Sequence, residues 1–137
     1  MILFQKNKLP LNGIFIFLIA SCSQNKLKKA EMKIVQDHVD MKLVSEPVNF
    51  QFQIKSVGTD TLKILKYASS CGCTDVSLAK NIIPPGDSAF LNGTYKPEAN
   101  GKFEKTIVLN TNTTEKFKVL RIKGVNKIQK SSKEKHP

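Results

Sequence analysis

The chain has 137 residues, 40% of them hydrophobic, which is material for one core and no more. Lysine and arginine outnumber aspartate and glutamate by 22 to 11, there is no tryptophan, and the cysteines are three: Cys22, Cys71 and Cys73. Such charge favours anionic partners in general. The lysines are scattered rather than clustered with aromatics, so they read as a solvated basic surface and argue against nucleic-acid binding.

Lys6 and Lys8 precede the apolar run Leu11 to Ala20, which is too short to cross a bilayer as a helix and suits the hydrophobic region of a signal peptide. The run ends in Ile19-Ala20-Ser21-Cys22, which resembles the lipobox of bacterial lipoproteins. That resemblance implies cleavage before Cys22 and acylation of Cys22, and several acyl chains together hold a protein stably on a membrane. Ser23 in place of aspartate after the cysteine implies sorting to the outer membrane. Gln24 to Lys29 contain no acidic cluster, which implies a periplasmic face. With Lys6 and Lys8 gone, 20 basic residues face 11 acidic ones, a net charge of +9. The expected plan is a signal peptide over 1–21, a lipidated cysteine and flexible tether over 22–38, a β domain over 39–125, and a basic disordered tail over 126–137.

The tether is rich in lysine, with one weakly apolar patch at Met32, Ile34 and Val35. His38 at its end and His136 in the tail are expected to be solvent-exposed, without a ligand set. From Val39 the pattern turns to period two. Val48, Phe50, Phe52 and Ile54 then alternate with Asn49, Gln51, Gln53 and Lys55, the pattern of a strand with one face in a core and one in water. Ser56 to Asp60 is a turn, and Thr61 to Ala68 forms the next strand, in which Ile64 and Leu65 face opposite ways unless a bulge intervenes. Ile82 and Ile83 lead to Pro84-Pro85-Gly86-Asp87, a break in any ladder. Ser88 to Tyr95 reads as a strand, Asn100-Gly101 as a hairpin turn, Phe103 to Asn110 as a strand, and about Lys116 to Lys123 as the last one. About seven strands with no helix predict an immunoglobulin-like β-sandwich with Phe50, Phe52, Ile54, Ile64, Phe103, Ile107 and Leu109 in one core.

Reactive side chains concentrate at Ser69-Ser70-Cys71-Gly72-Cys73-Thr74. Thiols two residues apart on an extended backbone lie on the same side of it. A disulfide needs Cα atoms about 4.4 to 6.8 Å apart, and ideal strand positions i and i+2 sit near 6.6 Å, so closure calls for a bend that Gly72 can provide. Three readings follow: a disulfide or redox dithiol, a soft-metal pair for Cu(I), or cysteines that pack as small apolar residues. The chain has no paired-histidine zinc motif, phosphate loop or nucleophile elbow, and both histidines lie outside the expected core, so no hydrolase is predicted. Asp60-Thr61-Leu62 and Asp87-Ser88-Ala89 resemble a periplasmic O-glycosylation motif at Thr61 and Ser88, and they also suit plain turn formation.

These residues together, with Gly58, Ile83-Pro84-Pro85-Gly86, Tyr95, Gly101-Lys102-Phe103 and Thr111-Asn112, resemble the bacterial domain of unknown function 1573, frequent in exported lipoproteins of the Bacteroidota. The resemblance runs from about Val48 to Val125. It implies an immunoglobulin-like sandwich akin to MSP and Hydin-type domains and an envelope location, and it implies no activity. The sequence therefore predicts a non-enzymatic module, anchored to the membrane by lipid at Cys22, that contacts another envelope protein and takes no small-molecule substrate. The alternative is a thiol protein that uses Cys71 and Cys73 for redox chemistry or Cu(I) binding.

Overall fold

The computed structural model describes residues 27–129, and their elements are all strands. The chain builds β1 (Met32–Ile34), β2 (His38–Val44), β3 (Val48–Ser56), β4 (Leu62–Ser69), β5 (Thr74–Leu78), β6 (Ile82–Ile83), β7 (Ser88–Tyr95), β8 (Gly101–Thr111) and β9 (Phe117–Asn126). They form two sheets, one ordered β1-β3-β7-β5 and the other β2-β9-β8-β4-β6. Every pairing is antiparallel except β2 with β9, which is parallel. The architecture is an immunoglobulin-like sandwich, as the alternation predicts, with nine strands rather than about seven.

The period of two explains the layers. In β3, Phe50, Phe52, Ile54 and Ser56 point inward while Asn49, Gln51 and Lys55 stay in water. Their inner neighbours are Leu91 and Ala89 on β7, and across the sandwich Ile107, Leu109, Leu120 and Ile122 supply the opposing layer. Phe52, Ile54, Leu62, Ile83, Leu91, Ile107, Leu109, Leu120 and Ile122 are all at most 1% exposed. Each such side chain contributes about 1.5 to 3 kcal/mol relative to exposure, so this layer is the main source of cohesion. The expected core residues all belong to it, Phe103 at its margin.

Gly93 has a packing reason. It pairs with Phe50, and a Cβ there would lie 2.1 Å from the Phe50 ring. The ring occupies the space that a side chain at residue 93 would need. In β4 the register against β8 shifts between Ile64 and Lys66, so a bulge resolves the adjacent apolar pair: Ile64 is buried and Leu65 is 63% exposed.

Three boundaries differ from the sequence reading. The stretch expected as tether contributes β1, whose Met32 and Ile34 pack against the core and whose three residues pair with Ile54, Lys55 and Ser56. Just before it, Lys29 is fixed by Thr59, its carbonyl accepting the Thr59 amide at 2.9 Å. The apolar alternation Met32, Ile34 is enough to extend a sheet edge even in a lysine-rich stretch. At the other end β9 continues through Val125 to Asn126, which is buried rather than the start of a tail. Finally, β5 is a strand for which the sequence reading made no provision.

Candidate functional site

The β4 strand belongs to one sheet and β5 to the other, so Ser70 to Cys73 make the crossover between the layers. The crossover is tied down on both sides. Ser70 donates its amide to Thr106 O at 2.8 Å and accepts the Thr106 amide on its Oγ at 3.0 Å, which holds the start of the loop to β8. Cys73 O accepts the Lys96 amide at 2.8 Å, which holds its end to the chain leaving β7.

Between these fixed points Cys71 and Cys73 are joined by a disulfide, with their Cα atoms 5.3 Å apart. They meet through a turn, not through strand alternation: the Thr74 amide points back to Cys71 O at 3.4 Å, and Ser69 Oγ donates to the same carbonyl at 2.9 Å. Gly72 is not among the residues with positive φ, and a Cβ there would meet nothing within 4 Å. The bend therefore does not demand glycine, contrary to the role the sequence suggests for it. What glycine provides is an unobstructed backbone beside the bridge.

The two sulfurs differ in surroundings. Cys73 is 3% exposed and belongs to the apolar core, whereas Cys71 is half-buried at its margin. Thr74 lies beneath both, itself buried, with its Oγ1 3.5 Å from Cys71 Sγ and 3.8 Å from Cys73 Sγ. Its hydroxyl is the polar side chain placed to donate to either sulfur. The nearby charges Lys96 and Asp75 are paired with each other at 2.7 Å, both side chains more than half exposed. Behind Thr74 stands its register partner Tyr95, whose ring stacks on Phe103 with centroids 4.1 Å apart.

Other residues singled out in the sequence lie elsewhere. Cys22 and His136 are outside the described residues. His38 is exposed and its Nδ1 lies 3.1 Å from Asp37 Oδ1, a contact between sequence neighbours that the reading of His38 overlooked. Asp60 Oδ1 accepts the Thr61 amide and Asp87 Oδ1 the Ser88 amide, each at 2.7 Å, so both triplets perform the turn chemistry expected of them. Among the described residues no group of three histidine, cysteine or acidic side chains converges. A Cu(I) ion would have to use the two thiolates alone, and only after the bridge is reduced.

The family model described as "Protein of unknown function (DUF1573)" matches residues 32–126. The chain belongs to this family. Its match starts at β1 and ends with β9, so the family's domain and the sandwich coincide. No curated protein matches the DUF1573 chain. Among solved structures, a protein of unknown function from Porphyromonas gingivalis W83 is similar at 17% identity and a TM-score of 0.66. That similarity covers 72% of this chain and 47% of the other, so the DUF1573 chain spans about half of that relative's length. The ASH / PapD-like domain 7 of human CEP192 is similar at 9% identity and a TM-score of 0.61, over 74% of this chain and 88% of that one. The Vibrio cholerae VesB protease follows at 12% identity and a TM-score of 0.59, over 71% and 32% of the respective chains. At these identities the likeness extends to the fold alone.

Proposed function

We propose that this chain is an envelope module whose Cys71–Cys73 bridge exchanges with thiols of another protein. The observation that carries the reading is the asymmetry of the bridge: Cys71 sits at the margin beside open Gly72, Cys73 is in the core, and the Thr74 hydroxyl reaches both sulfurs. An incoming thiolate attacks Cys71 Sγ, forming a new S–S bond there. The Cys71–Cys73 bond breaks and its electron pair leaves on Cys73 Sγ, which Thr74 Oγ1–H is placed to receive. A second thiol of the partner then attacks the partner's own sulfur, releasing Cys71 as thiolate. The partner's dithiol becomes a disulfide, and Cys71 and Cys73 become thiols. A thiolate left at Cys73 among apolar side chains is poorly solvated, so the Thr74 hydroxyl offsets a real cost.

The compartment supports the same reading. Ile19-Ala20-Ser21-Cys22 after a basic apolar leader argues for a lipid anchor at Cys22, an outer-membrane location and a periplasmic face, where bridges persist. The test of the anchor is intact mass together with Cys22→Ser, which should release the protein from membranes. A wild-type chain without added acyl mass overturns it. The test of the bridge is thiol trapping of the purified protein in graded dithiol buffers. A pair that opens reversibly in the folded protein is expected, and in Cys73→Ser the free Cys71 thiolate should attack oxidised glutathione, forming a mixed disulfide at Cys71 and releasing one reduced glutathione. Two free thiols in air-purified protein, or a bridge that opens only on unfolding, overturns the proposal. Stoichiometric Cu(I) uptake by the reduced pair under anaerobic conditions, with no exchange activity, would replace it by metal handling.

A further inference from the structure

Beside the bridge, one sheet of the described residues ends at β5. The β5 strand pairs with β7 on one side, in unbroken register from Thr74 opposite Tyr95 to Leu78 opposite Leu91, and among the described residues has no strand on the other. The direction of its backbone groups follows from the ladder. Cys73 O accepts the Lys96 amide and the Ala79 amide donates to Phe90 O, so residues 73, 75, 77 and 79 turn their polar groups toward β7. The amides and carbonyls of Val76 and Leu78, and the carbonyl of Thr74, therefore point to the open edge.

That edge starts one residue after Cys73. Edges of this kind are commonly blunted by bulges, charges or proline, a bulge being a register shift such as the one inside the other sheet at Ile64/Lys66 of β4. β5 has no such shift, and a Cβ at Gly72, the residue inside the bridge, would meet nothing within 4 Å.

We infer that the open edge of β5 docks an extended, cysteine-bearing segment of another polypeptide as an added strand, delivering its thiol to Cys71 Sγ. This rests on the exchange reading and names its substrate class. Main-chain hydrogen bonds to Val76 and Leu78 supply binding that is indifferent to most side chains, while the distance along the strand to the bridge sets where the cysteine must stand. Val76 and Leu78 pack their side chains against the core, so alternate apolar residues in the segment continue the inner layer. A small thiol reaches Cys71 without this help. A docked segment gains in local concentration.

The test compares two synthetic peptides containing one cysteine within alternating valine and threonine residues, identical except that one has N-methyl groups on alternate amides. Their thiols are the same and only the strand pairing differs. The unmethylated peptide is expected to open the bridge at least tenfold faster, and Val76→Pro, which removes an amide at the open edge and spares the β7 ladder, should bring the two peptides to the same rate. Equal rates for the two peptides with normal reduction by dithiothreitol overturn the docking inference and spare the exchange reading. A bridge inert to dithiothreitol overturns the exchange reading instead. In that case docking is read from a serine-for-cysteine peptide by amide shifts at Val76 and Leu78, and no shift there overturns docking as well. A concentration-dependent dimer abolished by Val76→Pro would assign the edge to a second copy of the chain and also overturn it.

Discussion

Asn126 Nδ2 donates a hydrogen bond to Tyr95 Oη at 2.9 Å, and this contact joins the last residue of β9 in one sheet to the last residue of β7 in the other. Asn126 Nδ2 also donates to Ala99 O at 2.9 Å, so the amide clamps the β7–β8 connection and the buried phenol together. Tyr95 is 1% exposed and lies directly opposite Thr74, which touches both sulfurs. The bridge thus stands on a polar contact between the layers.

Replacing Tyr95 by Phe keeps the ring and its stacking on Phe103 while removing the acceptor. The expected loss is about 1 kcal/mol, at the low end for a buried donor deprived of a partner, because Ala99 O still accepts from Asn126. Urea unfolding at equilibrium measures it. An unchanged midpoint would show that the contact contributes nothing.

The strands that the sequence made legible are those with long, clean alternation. Val48 to Ile54 states its inner and outer faces residue by residue, and the structure follows it. Thr74, Val76 and Leu78 also alternate with Asp75 and Ser77, but five residues beside a reactive motif are too short a signal to separate strand from loop. The parallel pairing of β2 with β9 has no local signature at all, since it joins residues near opposite ends of the domain. At the site, the cysteine spacing disclosed the pair, and nothing in it disclosed that one sulfur would lie in the core and the other at its margin. That difference arises from which sheet each flanking strand joins, a tertiary property.

Gly58→Ala should detach β1. A Cβ at residue 58 would lie 2.2 Å from Lys29 O and 2.4 Å from the Glu31 amide nitrogen, both backbone atoms that cannot yield by a side-chain rotation. Val57 and Thr59 donate their amides to Glu31 O and Lys29 O, at 3.0 and 2.9 Å. Hydrogen exchange is therefore expected to speed up at Val57 and Thr59, with amides in the middle of β7 unaffected. Full protection of both amides in the variant would contradict the packing argument.

The Asp87 carboxyl is held below its ordinary value of 3.8, first by the hydrogen bond from Lys80 and then by the Ser88 amide. A carboxylate with a depressed pKa in the folded state contributes stability that is complete above its unfolded pKa and lost as the pH falls through the folded one. Asp87→Asn keeps the backbone bonds of this turn and removes the charge. The variant should be less stable than the wild type at pH 7, with the gap closing below about pH 4. Urea midpoints measured from pH 7 down to pH 2.5 test this. A gap constant across that range would mean that the charge is irrelevant.

The last prediction separates the bridge's chemistry from its contribution to stability. A covalent loop that closes over one intervening residue constrains the unfolded chain little, so reducing Cys71–Cys73 in the folded protein should lower stability by no more than about 2 kcal/mol. Substitution should behave differently at the two positions. Cys71→Ser and Cys73→Ser both remove the bridge, so their difference reports surroundings alone. Cys73 is 3% exposed among apolar side chains, and a serine hydroxyl there must find a partner such as Thr74 or cost about 1 to 3 kcal/mol. Cys71 lies at the margin, where a hydroxyl meets water. Unfolding curves for oxidised and reduced wild type and for the two variants give the comparison directly. If Cys71→Ser proves as costly as Cys73→Ser, the two sulfurs are equivalent and attack at Cys71 loses its rationale.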